Sequence, residues 1–307
     1  MTGQAVTPTF SIVVPAYQAA STLAETLDAI QCQGEKWECV VVDDGSKDET
    51  SEIAGRYASS DARFRVIRQD NQGTAAAYNT GVASATGEYV VICSADDVLL
   101  PEHLSTMSQF IRDEPGYDIW TSNGYLWRGR SRELIYGPGS KDSVYSFELA
   151  DLIRVCFYGV GAVYRRTLVE KVGGYRRTVF GEDYDFWLRA MALGARHRYL
   201  PQALSMWRVS KTQKSAQLET VYRSDIRLVS DLRRDFRLSP EELAAVDQSI
   251  ADRERLIAEL HRPRDVYRDV IKPWPKQVVV GVLGRDRARR IKRVVRSAIG
   301  RASAAPS

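Results

Sequence analysis

Two stretches of the chain run a short apolar segment straight into a pair of aspartates. Cys39-Val40-Val41-Val42 leads into Asp43-Asp44, and Val90-Val91-Ile92-Cys93 leads through Ser94-Ala95 into Asp96-Asp97. An uninterrupted apolar run of this length reads as a strand buried on both faces, the environment of a parallel sheet covered by crossover helices. The flanking sequence keeps that alternation. Residues 10–15 read as a first buried strand and 21–31 as its crossover helix, capped by Ser21 and carrying Leu23, Leu27 and Ile30 at helical spacing. A second helix is expected over 48–57, a third strand over 64–67, and a third helix over 74–84 after the turn at Asn71-Gln72-Gly73. In open sheets of this kind ligands bind at the carboxyl ends of the strands, where both aspartate pairs fall. Like charges gathered at one edge repel, so a divalent cation or a set of hydrogen-bond donors is needed to hold them there.

Beyond residue 117 the pattern is less regular. We expect a strand over 118–127, a turn at Gly137-Pro138-Gly139, a helix over 146–155 and a Gly-rich stretch over 159–162. Gly181-Glu182-Asp183 opens a helix whose Tyr184, Trp187, Leu188 and Met191 share one face, and two amphipathic helices are expected over 217–236 and 239–260. The expected organisation is a catalytic domain over 1–215, a helical extension over 216–262 and a basic tail over 263–307.

Composition excludes several classes. Of 307 residues, 44% are hydrophobic and 27% charged, which is enough apolar material for a packed core and excludes a disordered chain. No apolar run reaches the ~20 residues of a spanning helix, and the first residues lack a basic start and an apolar signal core. A cytoplasmic location is therefore expected. Cys32, Cys39, Cys93 and Cys156 form no Cys-x-x-Cys pair and argue for neither disulfides nor zinc. His103 and His197 have no ligand-spaced partners and read as structural; His261 ends a helix. After His261, thirteen basic residues face three acidic ones, so a net acidic body carries a basic end. Within that tail, Ala288, Ile291, Val294, Val295, Ala298 and Ile299 make a narrow apolar face flanked by Arg and Lys. The expectation is a peripheral, inner-face association with anionic membrane; a packed or solvated basic helix is the alternative. A nucleic-acid partner is not expected, because the tail has no interleaved aromatics and no reader fold.

The chain has neither a P-loop nor a Gly-x-Gly-x-x-Gly turn after its first strand, so no glycine cradle for phosphates is present. Hard cations, Mg²⁺ or Mn²⁺, bind one or two carboxylates and fill their shell with water and substrate phosphate, and a nucleotide diphosphate suits that arrangement.

The ordered set Val14-Pro15-Ala16-Tyr17, Val42-Asp43-Asp44-Gly45-Ser46, Asn71-Gln72-Gly73 with Asn79-Thr80-Gly81, Gly87-Glu88-Tyr89, Ser94-Ala95-Asp96-Asp97 with Pro101, Gly173-Gly174-Tyr175 and Gly181-Glu182-Asp183 resembles the inverting glycosyltransferases of family 2. The resemblance implies the GT-A fold: α/β, with a Rossmann-like, mostly parallel sheet flanked by helices, here followed by the C-terminal helical extension. It implies transfer of one sugar from a nucleotide-diphosphate sugar to a hydroxyl acceptor on a glycan, a lipid-linked carrier or a protein, with Mn²⁺ or Mg²⁺ as cofactor. By position, Pro15, Ala16 and Tyr17 would line the base pocket, Tyr17 stacking on the base. Asp44 would accept from the base imide and Asp43 would lie nearby. Ser94 would meet the ribose, Asp96 with help from Asp97 would hold the metal, and Asp183 would be the catalytic base. Glu182, Trp207 and Arg208 are further candidates for the diphosphate or acceptor. Two departures stand out. Ser94 replaces the first acid of the family's Asp-x-Asp, and Tyr78 stands where many relatives have an arginine before Asn79. They leave open an alternative, a catalytically inactive subunit of the same fold that binds nucleotide sugar.

Overall fold

The computed structural model describes residues 9–135, 146–155, 159–209 and 217–261. The turn at 137–139, Cys156 and the basic tail lie outside the described residues. Four strands, β1 (Phe10–Ala16), β2 (Trp37–Asp43), β3 (Phe64–Arg68) and β4 (Tyr89–Ile92), pair in parallel in the order β3-β2-β1-β4. They are joined by α1 (Leu23–Gln31), α2 (Thr50–Ser60) and α3 (Thr74–Ala83). Successive β-strand side chains alternate between faces. Ile12, Val14, Cys39 and Val41 enter the core under α1 and α2, whereas Val13, Val40 and Val42 face α3. With helices on both faces, neither set can be polar, which is why these strands read as unbroken apolar runs. Leu23, Leu27 and Ile30 of α1 are fully buried, as their spacing predicts. Ser21 is not the cap: α1 starts one residue later than a Ser21 cap allows, Thr22 takes that position, and no side chain caps it. α3 lies close on the sheet because its facing residues are small; a Cβ at Gly81 would stand 2.3 Å from Val13 Cγ1.

The second half of the sheet departs from the mostly parallel expectation. It comprises β5 (Val98–Leu99), β6 (Ile119–Arg128), β7 (Ser131–Leu134), β8 (Val163–Arg165) and β9 (His197–Arg208), and the order continues β4-β8-β6-β9-β5 with β7 on β6. β8 is antiparallel to β4 and β6, β6 is parallel to β9, and β5 is antiparallel to β9. β9 is not legible in sequence because Pro201 and the arginines Arg198 and Arg208 break its apolar pattern; a register shift between Ser122 and Tyr125 of β6 accommodates it.

The remaining helices are α4 (His103–Asp113), α5 (Leu149–Arg154), α6 (Thr167–Val172), α7 (Glu182–Ala192), α8 (Leu218–Asp235) and α9 (Pro240–Leu260). Leu228, Val229 and Leu232 of α8 and Ala245 and Val246 of α9 share one apolar cluster with Tyr184, Phe186 and Leu188 of α7 and Leu152 of α5. The C-terminal helices are thus packed onto the helix that carries Asp183. No described helix is long and apolar enough to cross a membrane.

Two buried histidines confirm their structural reading. His103 Nδ1 lies 3.0 Å from the Leu204 carbonyl and His197 Nε2 lies 2.7 Å from Thr121 Oγ1. Burial pushes His103 down to about 4 and His197 down to about 3, so both are neutral at physiological pH.

Candidate active site

β2 and β4 lie on opposite sides of β1, so the strand order reverses at β1, and in such sheets the crevice beyond the carboxyl ends at the reversal receives ligands. Three loops meet there. After β1, Tyr17 is 52% exposed, an unusual setting for a large aromatic ring. Gln18 follows it in the left-handed region at φ 52°, held by its N–H donating to Ser46 Oγ (3.0 Å) and by its Oε1 accepting from Lys47 N (2.7 Å). Pro15 is half-buried, but Ala16 is buried and its carbonyl accepts from Asp44 N (2.9 Å). Of the three residues expected to line the base pocket, Tyr17 is the one that presents its side chain to solvent.

The aspartates after β2 are occupied. Asp43 has no exposed surface; it accepts from Ser46 N (2.9 Å) and Ser51 Oγ, with Arg68 Nε 3.7 Å away. Asp44 accepts from Gln69 Nε2 (2.8 Å), Gln72 N (2.9 Å) and Gly73 N (2.8 Å). Asp44 therefore gathers the Asn71-Gln72-Gly73 turn and the start of α3 against β2. That turn walls a cavity of about 390 Å³ together with Asn79, Tyr175 and Arg177. None of Asp96, Asp97 or Asp183 is among its lining residues.

The aspartates after β4 are differently placed. Asp96 is half-buried, and Asp97, 4% exposed, receives the Arg208 N–H on Oδ1 (3.0 Å). Burial lifts the Asp96 carboxyl above the usual range, and burial followed by the neighbouring Asp96 charge lifts Asp97 well above it. Arg208 is the cation nearest to them. Its Nε donates to the Asp96 carbonyl (2.9 Å), its Nη2 pairs with Glu25, and its guanidinium stacks on Trp127 at 3.9 Å. Arg208 thus braces the β4–β5 turn; Trp207 beside it is half-buried. Sequence gave no sign of Glu25 or Trp127 as its partners, because each is brought from a distant segment.

Asp183 stands in the first turn of α7, after Gly181 at φ 81°. Its carboxylate faces solvent and accepts from Tyr184 N (2.8 Å), and the protein around it raises its carboxyl above the usual range by desolvation. Glu182 beside it is half-buried. Three side chains, Ser224, Arg189 and Asn79, fix this turn and the loop that leads to it. Ser224 Oγ of α8 accepts from Phe180 N (3.2 Å) and donates to Phe180 O (2.7 Å). Arg189, buried, pairs with Asp185 (2.7 Å) and donates to the carbonyls of Val172 and Gly174 (both 2.7 Å). Asn79 of α3 donates to Tyr175 O and accepts from Tyr175 N (both 2.8 Å). Gly174, at φ 75°, passes so close that a Cβ would stand 2.8 Å from Asn79 Oδ1. The Asn79 and Gly173-Gly174-Tyr175 motifs are thus a clasp between α3 and the loop that delivers α7.

Tyr78 lies between the two carboxylate groups. Burial, followed by the charges of Asp183, Glu182 and Asp97, raises its buried hydroxyl well above the usual range, so the end of β4 and the start of α7 both act on this one side chain of α3.

The donor set at Asp96 and Asp97 consists of hard carboxylate oxygens with unbalanced charge, which suits Mg²⁺ or Mn²⁺. Among the described residues no group of three His, Cys, Asp or Glu could hold a metal alone. A cation there would need the remaining ligands from water or substrate.

Known proteins fit this architecture. The Glycosyl transferase family 2 model matches residues 11–173, more than half of the chain. The succinoglycan biosynthesis protein ExoU of Rhizobium meliloti (strain 1021) is 29% identical over 265 residues, covering 80% of this chain and 76% of ExoU. The putative glycosyltransferase EpsH of Bacillus subtilis (strain 168) is 35% identical over 109 residues, 35% of this chain and about a third (32%) of EpsH. Among solved structures, S. aureus TarS 1-349 in complex with UDP-GlcNAc superposes with a TM-score of 0.62 at 21% identity, over 87% of this chain and 77% of that one. The mannosyltransferase PcManGT of Pyrobaculum calidifontis, in complex with GDP-Man and Mn²⁺, gives 0.60 at 22% identity, over 85% and 78%. The match to the family model, together with a sheet that reverses at β1 and carries aspartates beyond β4, places this chain in glycosyl transferase family 2, with the GT-A fold.

Proposed function

We propose that the chain transfers a single sugar from a nucleotide-diphosphate sugar to a hydroxyl acceptor with inversion, using Asp183 as the base. The observation that carries this reading is the reversal of strand order at β1, which brings the aspartates after β4 to the sheet edge where ligands bind, with Asp97 and Asp183 both acting on the buried Tyr78 hydroxyl. The names of the TarS and PcManGT structures, bound to UDP-GlcNAc and GDP-Man, support a nucleotide-sugar donor.

The chemistry follows from the groups present. As the bond between the anomeric carbon and the diphosphate breaks, positive charge develops on the sugar and negative charge on the leaving group. Tyr17 offers a face for the base, and Asp44 orders the turn beside it. Asp96 and Asp97 would hold Mn²⁺ or Mg²⁺, which when bound neutralises the departing diphosphate. The Asp183 carboxylate accepts the proton of the incoming hydroxyl while that oxygen bonds to the anomeric carbon. Its raised carboxyl makes it a stronger base than an ordinary aspartate.

The test is thermal shift and nucleotide release with the purified full chain, Mn²⁺ or Mg²⁺, and a panel of UDP- and GDP-sugars. Metal-dependent stabilisation by one donor and release of its nucleoside diphosphate are expected. Failure of every donor to bind would overturn the reading. Binding without release in the presence of glycan, lipid-linked and protein acceptors would favour the inactive binding subunit.

A further inference from the structure

The C-terminal helices do more than cover α7. Their polar groups close a chain of contacts around the turn that carries Asp183. Asp225 of α8 pairs with Arg253 of α9, its Oδ2 accepting from Nε at 2.9 Å, with 14% and 9% of the two side chains exposed. Arg253 Nη1 donates to Ser249 Oγ (2.5 Å), and Ser249 Oγ donates to the Ile153 carbonyl of α5 (2.8 Å). That carbonyl also accepts from the Tyr184 hydroxyl (3.1 Å), and Tyr184 N is the donor to the Asp183 carboxylate (2.8 Å). Ser224, next to Asp225, holds both backbone groups of Phe180 on the other side of the turn. The turn is therefore gripped at Phe180 and at Tyr184, and both grips lead to one ion pair. The family model matches residues 11–173, so α7, α8 and α9 lie beyond it.

A pair so little exposed also sets the field around it. Burial lifts the Asp225 carboxyl above the usual range, Arg253 draws it back down, and the Asp183 charge adds to the rise, so the two carboxyls are within each other's reach. The other ionisable groups around Asp183 are Glu182 beside it, Tyr78 of α3 and Tyr175 of the preceding loop, and all of them are acidic. The neighbouring arginines are engaged elsewhere. Arg154 lies 3.6 Å from Asp151 and 4.0 Å from Glu241, and Arg176 and Arg189 both turn to Asp185 (3.8 and 2.7 Å). Arg253 is thus the cation that offsets Asp225; unpaired, that carboxylate would oppose ionisation of Asp183. We infer that Asp225 and Arg253 are positioning residues: as one neutral unit they hold the α7 turn in place and leave Asp183 free to ionise, so that the helical extension is a working part of the site. The inference rests on the reading of Asp183 as the base.

The test is carbon NMR titration of the full chain labelled with [γ-¹³C]aspartate, the Asp183 signal being the one that Asp183→Asn removes. Asp225→Asn keeps an oxygen for Arg253 and leaves the guanidinium charge unbalanced. The Asp183 midpoint should then fall by about 0.5 in pH, a modest shift because this carboxylate faces solvent. Combining Asp225→Asn with Arg253→Met restores neutrality and should return the midpoint to the wild-type value. An unmoved midpoint in Asp225→Asn, or a fall that persists in the double variant, would overturn the inference and leave the base assignment intact. Ser224→Ala removes one small hydroxyl and tests the grip even if Asp225→Asn does not fold. Its kcat for nucleotide release from UDP- or GDP-sugars should drop about tenfold or more with the donor Kd unchanged, since a misplaced base loses turnover before binding. An unchanged kcat would overturn the inference. Full turnover by Asp183→Asn would remove the base assignment, and the positioning role with it.

Discussion

The aspartate pairs after β2 and after β4 look alike in sequence and do different work. Asp43 and Asp44 accept five hydrogen bonds between them, two of these from the backbone of the Asn71-Gln72-Gly73 turn and one from the backbone of Ser46. Asp96 and Asp97 are lifted above the usual carboxylate range by burial, and the Asp96 charge adds to the rise at Asp97. The first pair is spent on holding loops in place. The second is held in a state that a cation or a proton would relieve. What separates them is the neighbourhood that folding supplies: β2 ends against a turn rich in N–H donors, whereas Asp97 beyond β4 is buried beside Asp96 and takes the backbone N–H of Arg208.

That contrast, on the proposed reading in which the second pair and Asp183 belong to one site, can be broken by substitution. The largest effect is expected from Asp183→Asn, which keeps the shape of the α7 turn and removes the proposed base; turnover should fall by ~10²–10⁴-fold with donor affinity retained. Steady-state kinetics beside calorimetry checks this, and lost affinity with retained turnover would reverse the assignment. On that reading the proposed base also sets the pH profile. Its carboxyl is raised and only the ionised form accepts a proton, so turnover should rise with pH through a midpoint above that of an ordinary aspartate.

Asp96→Ala should come next, with loss of metal stimulation and a fall in turnover of about 10²-fold or more, since Lewis-acid stabilisation of the leaving group is worth several kcal/mol. Full activity of the wild type in excess chelator would refute it. Asp44→Ala should act on stability instead. It strips acceptors from Gln72 N, Gly73 N and the Gln69 amide, at a cost of about 2–3 kcal/mol, or roughly 5–10 °C in Tm.

Asp97→Asn should have the smallest effect and the opposite sign. A carboxyl whose folded value lies above its unfolded one favours folding fully at pH below the unfolded value, and that contribution is lost as pH rises through the folded value. The amide keeps an oxygen for Arg208 N and removes this loss, so the variant should melt higher by about 2–4 °C for each ~1 kcal/mol relieved. In chelator the gap should widen between pH 4 and pH 8. A variant less stable than wild type at every pH would show that the two aspartate pairs are the same kind of structure.

The sequence by itself determined the strand-rich first half of the fold. Residues buried on both faces of a covered sheet must be apolar, so β1, β2 and β4 announce themselves, and the turns after them carry the polar groups. It determined the family through the order of its motifs, and with it the expectation that Asp96 and Asp183 belong to one site. It could not show the mixed second half of the sheet, because β9 carries proline and arginine on a strand whose partners are distant in sequence. Nor could it separate Asp44 from Asp97. A carboxylate's role depends on which donors and charges stand within a few ångströms, and those come from α3, α7, α8 and the end of β9, tens to more than a hundred residues away. Only the tertiary structure decided that Arg208 stacks on Trp127, that Asn79 clasps Tyr175, and that the Tyr78 ring packs on Tyr175, because each of these contacts joins segments that the chain keeps apart until it folds.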